Sequence, residues 1–411
     1  MILKVELENF YSIKDRISID FRAANINTAQ ARELAYNTFK WKNATILKSI
    51  GLFGPNAAGK SSIIKAINFC CRLILDSHLN NEGGVFLFEP FKFDDYPQKP
   101  SRFLMDFVCE DIEYEYSFEL TKHGINKESL YYYPQGRKAR LFTRDESKEK
   151  PYAFSEGAFL KPSDVVDSTT KMNLFLSRAS SMKREKAQTV YRYFMSTFLL
   201  SIVPMTDYNT IEAYFNKYKK ILLTALNICD SDICDIKMKK EKARQLLQQG
   251  NGFPVVVEAD ALRFKTFHKH APQISFDMDA DESNGTRRLF YLLLSLLEVV
   301  RNKKSLMADE FDLSLHTRLA EFILDLIHAS SSSQFLFTSH NTNLIDTSKL
   351  RRDQIVFVNK KADGSTEAYA LYDFRDFRDT MDAEKGYHQG RFDAVPYVDS
   401  SVTSLKKLLE E

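Results

Sequence analysis

No apolar run in the 411 residues approaches the roughly 18 needed to cross a bilayer, which argues against a channel or transporter. The opening Met1–Glu8 alternates like a strand and lacks the charged-then-apolar layout of a secretion signal. The five cysteines (Cys70, Cys71, Cys109, Cys229, Cys234) show neither a secreted-type framework nor zinc spacing with partner histidines. Cys229 and Cys234 read as two reduced thiols rather than a metal pair, and the expected compartment is the cytoplasm with no membrane partner. The formal charge of +2 gives no overall pull toward nucleic acid, so any such contact must come from local patches. There is no internal repeat and no heptad run long enough for a coiled-coil arm. What remains is an ordinary globular balance, 44% hydrophobic and 27% charged, in a chain long enough for a large domain with an insertion.

Period-two alternation predicts strands at Ile2–Leu7 and Arg16–Phe21, followed by a polar stretch over 23–44. Thr45–Phe53 is an apolar run entering a glycine-rich turn, and Ser61–Leu75 has helical periodicity. Residues 85–155 are rich in aromatic and β-branched segments, among them Arg102–Val108 and Ile112–Leu120, and predict an antiparallel sheet. From Lys171 to Gln249 the pattern predicts helices with Lys-rich faces, broken at Gly250–Pro254. Strands are expected at Pro254–Glu258, Ile274–Met278, Ser305–Ala308, Gln334–Phe337 and Gln354–Val358. Helices are expected at Arg287–Val300 and His316–Ala329. Alternation of this kind builds a parallel sheet covered on both faces. The expected fold class is therefore α/β: a mixed or parallel central sheet, an antiparallel β-subdomain and a helical insertion, divided at 1–170, 171–250 and 251–411.

Between the apolar run and the helix lies Gly54-Pro55-Asn56-Ala57-Ala58-Gly59-Lys60-Ser61, a full match to G-x-x-x-x-G-K-[ST]. Gly54 and Gly59 let the backbone curl so that its N–H groups form a nest for phosphate oxygens, and the helix adds its positive dipole end. Lys60 would reach the β- and γ-phosphates, and the Ser61 hydroxyl would complete magnesium coordination. Ser62 joins the expected nucleotide-binding set. The apolar segment Ser305–Ala308 ends in Asp309-Glu310. Neighbouring side chains at a strand end point in different directions, so Asp309 is assigned to magnesium and Glu310 to the attacking water as general base. His340, at the end of the next strand in Phe337-Thr338-Ser339-His340, would sense the γ-phosphate or the water.

This combination resembles the ABC-ATPase superfamily, and within it the SMC, RecF and OLD-type group. Glu282-Ser283-Asn284-Gly285-Thr286-Arg287-Arg288 resembles the ABC signature in the form E-S-x-G-T-x-R, though a plain helix N-cap has the same geometry. Asp312-Leu313-Ser314-Leu315-His316 resembles the D-loop. More closely, the chain resembles the OLD/RloA-like ATPases of antiphage defence operons. Glu8-Asn9-Phe10-Tyr11-Ser12-Ile13 contributes, as does the tail Tyr387–Pro396, where Asp393 stands at a family glycine. The resemblance implies ATP and Mg²⁺ as cofactors and a homodimer or higher homo-oligomer. In it, Ser283, Gly285 and Thr286 of one copy face the nucleotide held by the other, with Asp312 and Ser314 in the D-loop. It also implies a sensor or scaffold that controls a separately encoded effector, a nuclease or toxin. The alternative is a RecF-like, ATP-dependent DNA clamp in repair.

Two features of the family are not found. No glutamine-bearing coupling loop is assignable: Gln98 has the wrong surroundings, and Asn173–Arg178 is better placed but has no glutamine. Too short a stretch follows His340 for the Toprim nuclease domain of OLD proteins. Asp277-Met278-Asp279-Ala280-Asp281 reads as a polar loop, and Asp373, Asp376 and Asp379 as a solvated face, so no intrinsic nuclease is expected. The basic clusters Arg137–Arg140, Lys183-Arg184 and Lys237–Arg244 suit either a DNA or RNA backbone or plain solvated faces.

Overall fold

The computed structural model describes residues 1–199, 207–229, 231–247, 255–378, 380–396, 401 and 404, with backbone alone for 243–247 and 255–260. In chain order, β1 (Ile2–Glu8), β2 (Ile17–Asp20), α1 (Ala29–Glu33), β3 (Thr38–Trp41), β4 (Ala44–Leu47) and β5 (Ser49–Phe53) lead into α2 (Lys60–Asp76). Then come β6 (Ser101–Cys109), β7 (Ile112–Thr121), β8 (Gly124–Tyr133), β9 (Ala139–Asp145) and β10 (Tyr152–Phe154). Helices α3 (Pro162–Asp167), α4 (Phe175–Ser181) and α5 (Glu185–Thr197), strand β11 (Phe198–Leu199) and helix α6 (Tyr208–Ile228) follow. The remainder is β12 (Ile233–Leu247), β13 (Val255–His268), β14 (Ala271–Asp277), α7 (Asn284–Arg301), β15 (Ser305–Ala308), α8 (Thr317–Ala329), β16 (Gln334–Ser339), β17 (Ile355–Lys360), β18 (Thr366–Ala370) and α9 (Ala383–His388).

The strands that carry the motifs form one six-stranded sheet, in the order β11-β15-β16-β5-β17-β18, parallel except for β18. Strands β15, β16, β5 and β17 are rich in apolar residues because they are buried on both sides, and the period of two divides their side chains between two cores. Met307, Leu336, Val356 and Val358 face a core shared with α2 and the seven-stranded sheet. Leu306, Ala308, Phe335, Phe337, Ile355 and Phe357 face a second core with α6, α7 and α8. Each buried phenylalanine contributes about 1.5–3 kcal/mol, so the strand ends that carry the motifs rest on a rigid base. The seven-stranded sheet is antiparallel throughout, in the order β10-β9-β8-β7-β6-β1-β2.

Three expectations need correction. The run Thr45–Phe53 is two strands, not one: the chain turns at Lys48, whose buried ammonium donates to the His328 carbonyl at 2.7 Å. The polar stretch 23–44 is not featureless, since it holds α1 and β3, and β3 pairs with β4. Helix does not continue to Gln249. Beyond α6 the chain becomes β12, which pairs along its length with β13. Lysine, glutamate and glutamine favour helix locally, but tertiary pairing overrides that weak preference. Ile236 is buried and Lys237 and Lys239 are exposed, which is the alternation of a half-buried strand. The break expected at Gly250–Pro254 and the residue Asp379 lie outside the described residues.

The tail packs by aromatic stacking. Phe392 lies on Phe357 with centroids 4.8 Å apart, and Tyr387 on the same ring at 5.7 Å. Asp393 sits at φ 52°, in the left-handed region where the resembling family has glycine. Asp393→Gly is expected to stabilise the protein by about 0.5–1 kcal/mol by relieving this conformation. That corresponds to about 1–2 °C in thermal midpoint, and an unchanged or lower midpoint would contradict it.

Candidate active site

The phosphate loop leaves β5 and closes into α2. Gly54, Ala57 and Gly59 all have positive φ, at 154°, 61° and 109°. Glycine is obligatory at 59: a Cβ there would lie 2.0 Å from the Thr366 hydroxyl oxygen and 2.8 Å from that of Ser12. Those two hydroxyls brace the loop from behind. Thr366 Oγ1 donates to the Ala58 carbonyl at 2.8 Å, and Ser12 Oγ lies 2.9 Å from Ser62 Oγ. Thr366 carried no sequence signal, because it enters through β18, far along the chain from the loop it supports.

Lys60 is buried at the first turn of α2, and its ammonium donates to the carbonyls of Gly54 at 2.7 Å and Pro55 at 3.0 Å. Burial pulls its pKa down to about 8, with Asp309 and Glu310 opposing the shift through their charge. The acids are therefore within electrostatic reach of the loop lysine. They stand at the end of β15, two strands from β5, with β16 between them. His340 follows β16, and its Nε2 lies 3.9 Å from Glu310 Oε1. Burial and then the Lys60 charge lower the His340 pKa, which favours the neutral imidazole near pH 7. Asp309 and the Ser61 hydroxyl are hard oxygen donors, the set that magnesium prefers alongside phosphate oxygens.

The acid pair is held by residues from two other elements. Thr338, fully buried on β16, donates to Asp309 Oδ1 at 2.6 Å and accepts the Glu310 N–H at 2.7 Å. Arg288 on α7 donates to the Glu310 carbonyl at 2.9 Å. Asp312 accepts from Ser339 Oγ at 2.6 Å, and burial raises its pKa despite that bond. Ser314 has φ 63°.

Ser283 caps α7, accepting the Thr286 N–H at 3.1 Å, and its hydroxyl lies 2.9 Å from that of Thr286. A Cβ on Gly285 would come within 3.0 Å of the Ser314 carbonyl, so the glycine lets the α7 start and the 312–314 turn pack closely. Glu282 bonds back to His268 at 3.0 Å and to Thr266, tying this start to β13. Two groups thus form within one chain: Lys60, Asp309, Glu310 and His340 in the first, Ser283, Gly285 and Ser314 in the second. Arg288 and the Glu310 turn link them.

Other singled-out residues serve the architecture. Asn173 is buried, donating to the Ser77 and Asn80 carbonyls at the end of α2 remote from the phosphate loop. Glu128 accepts the Phe175 and Leu176 N–H groups at 2.7 and 3.0 Å. Asn173–Arg178 is therefore a structural knot, and Gln98 closes a single 3-10 turn. Asn9 Oδ1 accepts the Phe91 N–H, and its amide donates to the Tyr96 and Lys99 carbonyls. Asp277 takes the N–H groups of Asp279 and Ala280 and pairs with Lys265, and Asp376 pairs with Arg391. The basic cluster at Lys237 lies on a strand, not a helix; its neighbours Arg263 and Lys265 are balanced by Glu241 and Asp277. Lys138 pairs with Glu115, and Arg184 with Asp164. All five cysteines are free thiols. Among the described residues no helix is long and apolar enough to cross a membrane.

A lysine-bearing phosphate loop on one parallel strand, with paired acids two strands along, defines the class of P-loop ATPase domains. The chain belongs to the family described as "AAA domain, putative AbiEii toxin, Type IV TA system", whose model matches residues 49–346. No curated protein matches the sequence. Among solved structures it is similar to an SMC head domain from Thermotoga maritima, at 14% identity, a TM-score of 0.39, and coverage of 90% of this chain and 98% of that one. It is also similar to an Smc head bound to the C-terminal winged-helix domain of ScpA, at 16% identity, TM-score 0.39, and coverage of 90% and 97%. An Smc head with an extended coiled coil, bound to the C-terminal domain of ScpA from Pyrococcus furiosus, gives 14%, 0.39, 90% and 96%.

Proposed function

We propose that this chain binds and hydrolyses ATP in composite sites formed between two copies, and that it is the cytoplasmic sensor or scaffold of an antiphage defence system. The carrying observation is the split of the motifs into two groups. One, around Lys60, Asp309 and Glu310, is equipped to hold and attack a triphosphate. The other, the capped start of α7 at Ser283 and Gly285, packs on Ser314 and presents the kind of helix end that suits an anion. In this reading Lys60 and the backbone of Gly54–Ser62 cradle the phosphates, and Ser61 and Asp309 hold Mg²⁺. Glu310 takes the proton of the attacking water, and His340 contacts the γ-phosphate. Ser283, Gly285 and Thr286 close the site from the second copy, with Asp312 and Ser314 at the junction.

Magnesium, when bound, draws charge from the phosphate oxygens; the protein's part is positioning and proton removal. The family description names a putative toxin of a Type IV toxin–antitoxin system, which fits a two-component system but attaches the toxin name to this family itself.

A mixing experiment tests the composite site. Lys60→Ala and Ser283→Arg should each abolish turnover alone. An equal mixture should recover about a quarter of wild-type activity, because half the dimers are mixed and each of those carries one intact site. If the wild type hydrolyses ATP and the mixture stays as inactive as its components, the sites are not shared between copies.

A further inference from the structure

We propose that Thr338 is a positioning residue for hydrolysis, its single hydroxyl setting the directions of both acids; this rests on the ATPase reading above. The hydroxyl is buried between β16 and the turn after β15, donating to Asp309 Oδ1 at 2.6 Å and accepting the Glu310 N–H at 2.7 Å. The Thr338 carbonyl also receives the Phe311 N–H at 3.4 Å. Glu310 stands at φ 46°, a left-handed conformation that a glutamate does not adopt unaided. Its N–H is held by Thr338 and its C=O by Arg288, so both peptide groups of the strained residue are fixed from outside. Strain persists where the surroundings over-determine it, and here Thr338 and Arg288 do so from two other elements.

The two bonds have separate consequences. The bond to Asp309 fixes which carboxylate oxygen is engaged within the protein, and so how the other is presented. The bond from Glu310 fixes the peptide from which the base projects. A displacement of about 1 Å at a reacting group lowers a rate on the order of 100-fold. A buried threonine serving only stability would instead show its effect in unfolding, with turnover unchanged per folded molecule.

Thr338→Val keeps the shape and removes both bonds, while Thr338→Ser keeps the hydroxyl. The valine variant is expected to lose kcat by about 10–100-fold, with ATP affinity within about threefold of wild type, and the serine variant to stay within about threefold in kcat. Hydrogen exchange of a peptide covering 305–313 should quicken in the valine variant and not in the serine variant. Turnover in the valine variant within about twofold of wild type overturns the proposal, as does unchanged exchange across that peptide. Should the wild type itself be inert, the ATPase reading fails and this role with it. A wild type that turns over beside an unimpaired valine variant removes only the role of Thr338.

Discussion

Glu310→Gln is expected to lower ATP turnover by about 10²–10⁴-fold while leaving ATP binding intact. Glutamine matches the shape of glutamate but cannot take a proton, so the substitution removes the base and leaves the turn, which is held through backbone groups by Thr338 and Arg288. Because closure of two copies precedes hydrolysis in the proposed cycle, the variant should accumulate as an ATP-loaded dimer. Light scattering in ATP and Mg²⁺ should give twice the monomer mass for the variant and a mixture for wild type. A Glu310→Gln protein that hydrolyses ATP within threefold of wild type, by the same kinetic comparison, would remove Glu310 from the chemistry. The outcome also separates two roles for His340, whose Nε2 lies 3.9 Å from Glu310 Oε1. A rate that collapses in Glu310→Gln leaves the histidine as a phosphate contact, whereas a rate that survives would make it the candidate base.

The parts of this site that are legible in the sequence are those in which spacing and chemistry coincide. Gly54–Ser61 must lie between a strand and a helix for its N–H groups to converge, and it does. Ser305–Ala308 has the four buried residues, three of them apolar, of a strand covered on both faces, and the acids fall at its end. The bracing hydroxyls are not legible in this way. Thr338 reads as one more residue of a buried strand, and Thr366 reaches the loop across a long stretch of sequence. Neither position has a spacing rule, because their contacts come from strand order, with β16 between β15 and β5, and β18 beyond β17.

The β12–β13 hairpin shows a different limit. Its lysines and glutamate favour helix one residue at a time, and only a partner strand reveals that Lys237 and Lys239–Lys242 stand exposed on a ribbon. The signature-like start of α7 is bonded to that ribbon through Glu282, His268 and Thr266. Where the sequence predicts helix up to Gln249, this chain places a β-ribbon against the residues proposed to meet the nucleotide of the second copy. On that ribbon Arg263 and Lys265 are paired with Glu241 and Asp277, and Lys240 with Glu212.

ATP affinity is expected to weaken as pH rises above about 8, through Lys60. Burial lowers the pKa of this ammonium to about 8 in the nucleotide-free protein, against an ordinary lysine value of 10.5. The sign follows from proton counts. Between those values the folded state has released a proton that the unfolded state retains, so folding stability from this group rises with pH in that window. Nucleotide binding runs the other way. Triphosphate oxygens favour the charged ammonium, so binding above pH 8 must take up a proton, and affinity should fall toward a limit of about tenfold per pH unit. Calorimetry in buffers of differing ionisation enthalpy reads that uptake directly. Lys60→Ala should lower affinity about 10–100-fold at pH 7, the loss of charge-assisted bonds to phosphate. It should also flatten the pH dependence above 8. The flattening is the decisive part, since any damaged loop would bind less tightly, but only loss of the titrating group removes the slope. If the slope persists in Lys60→Ala, the proton belongs elsewhere, and the loop lysine is not the group that meets the phosphates.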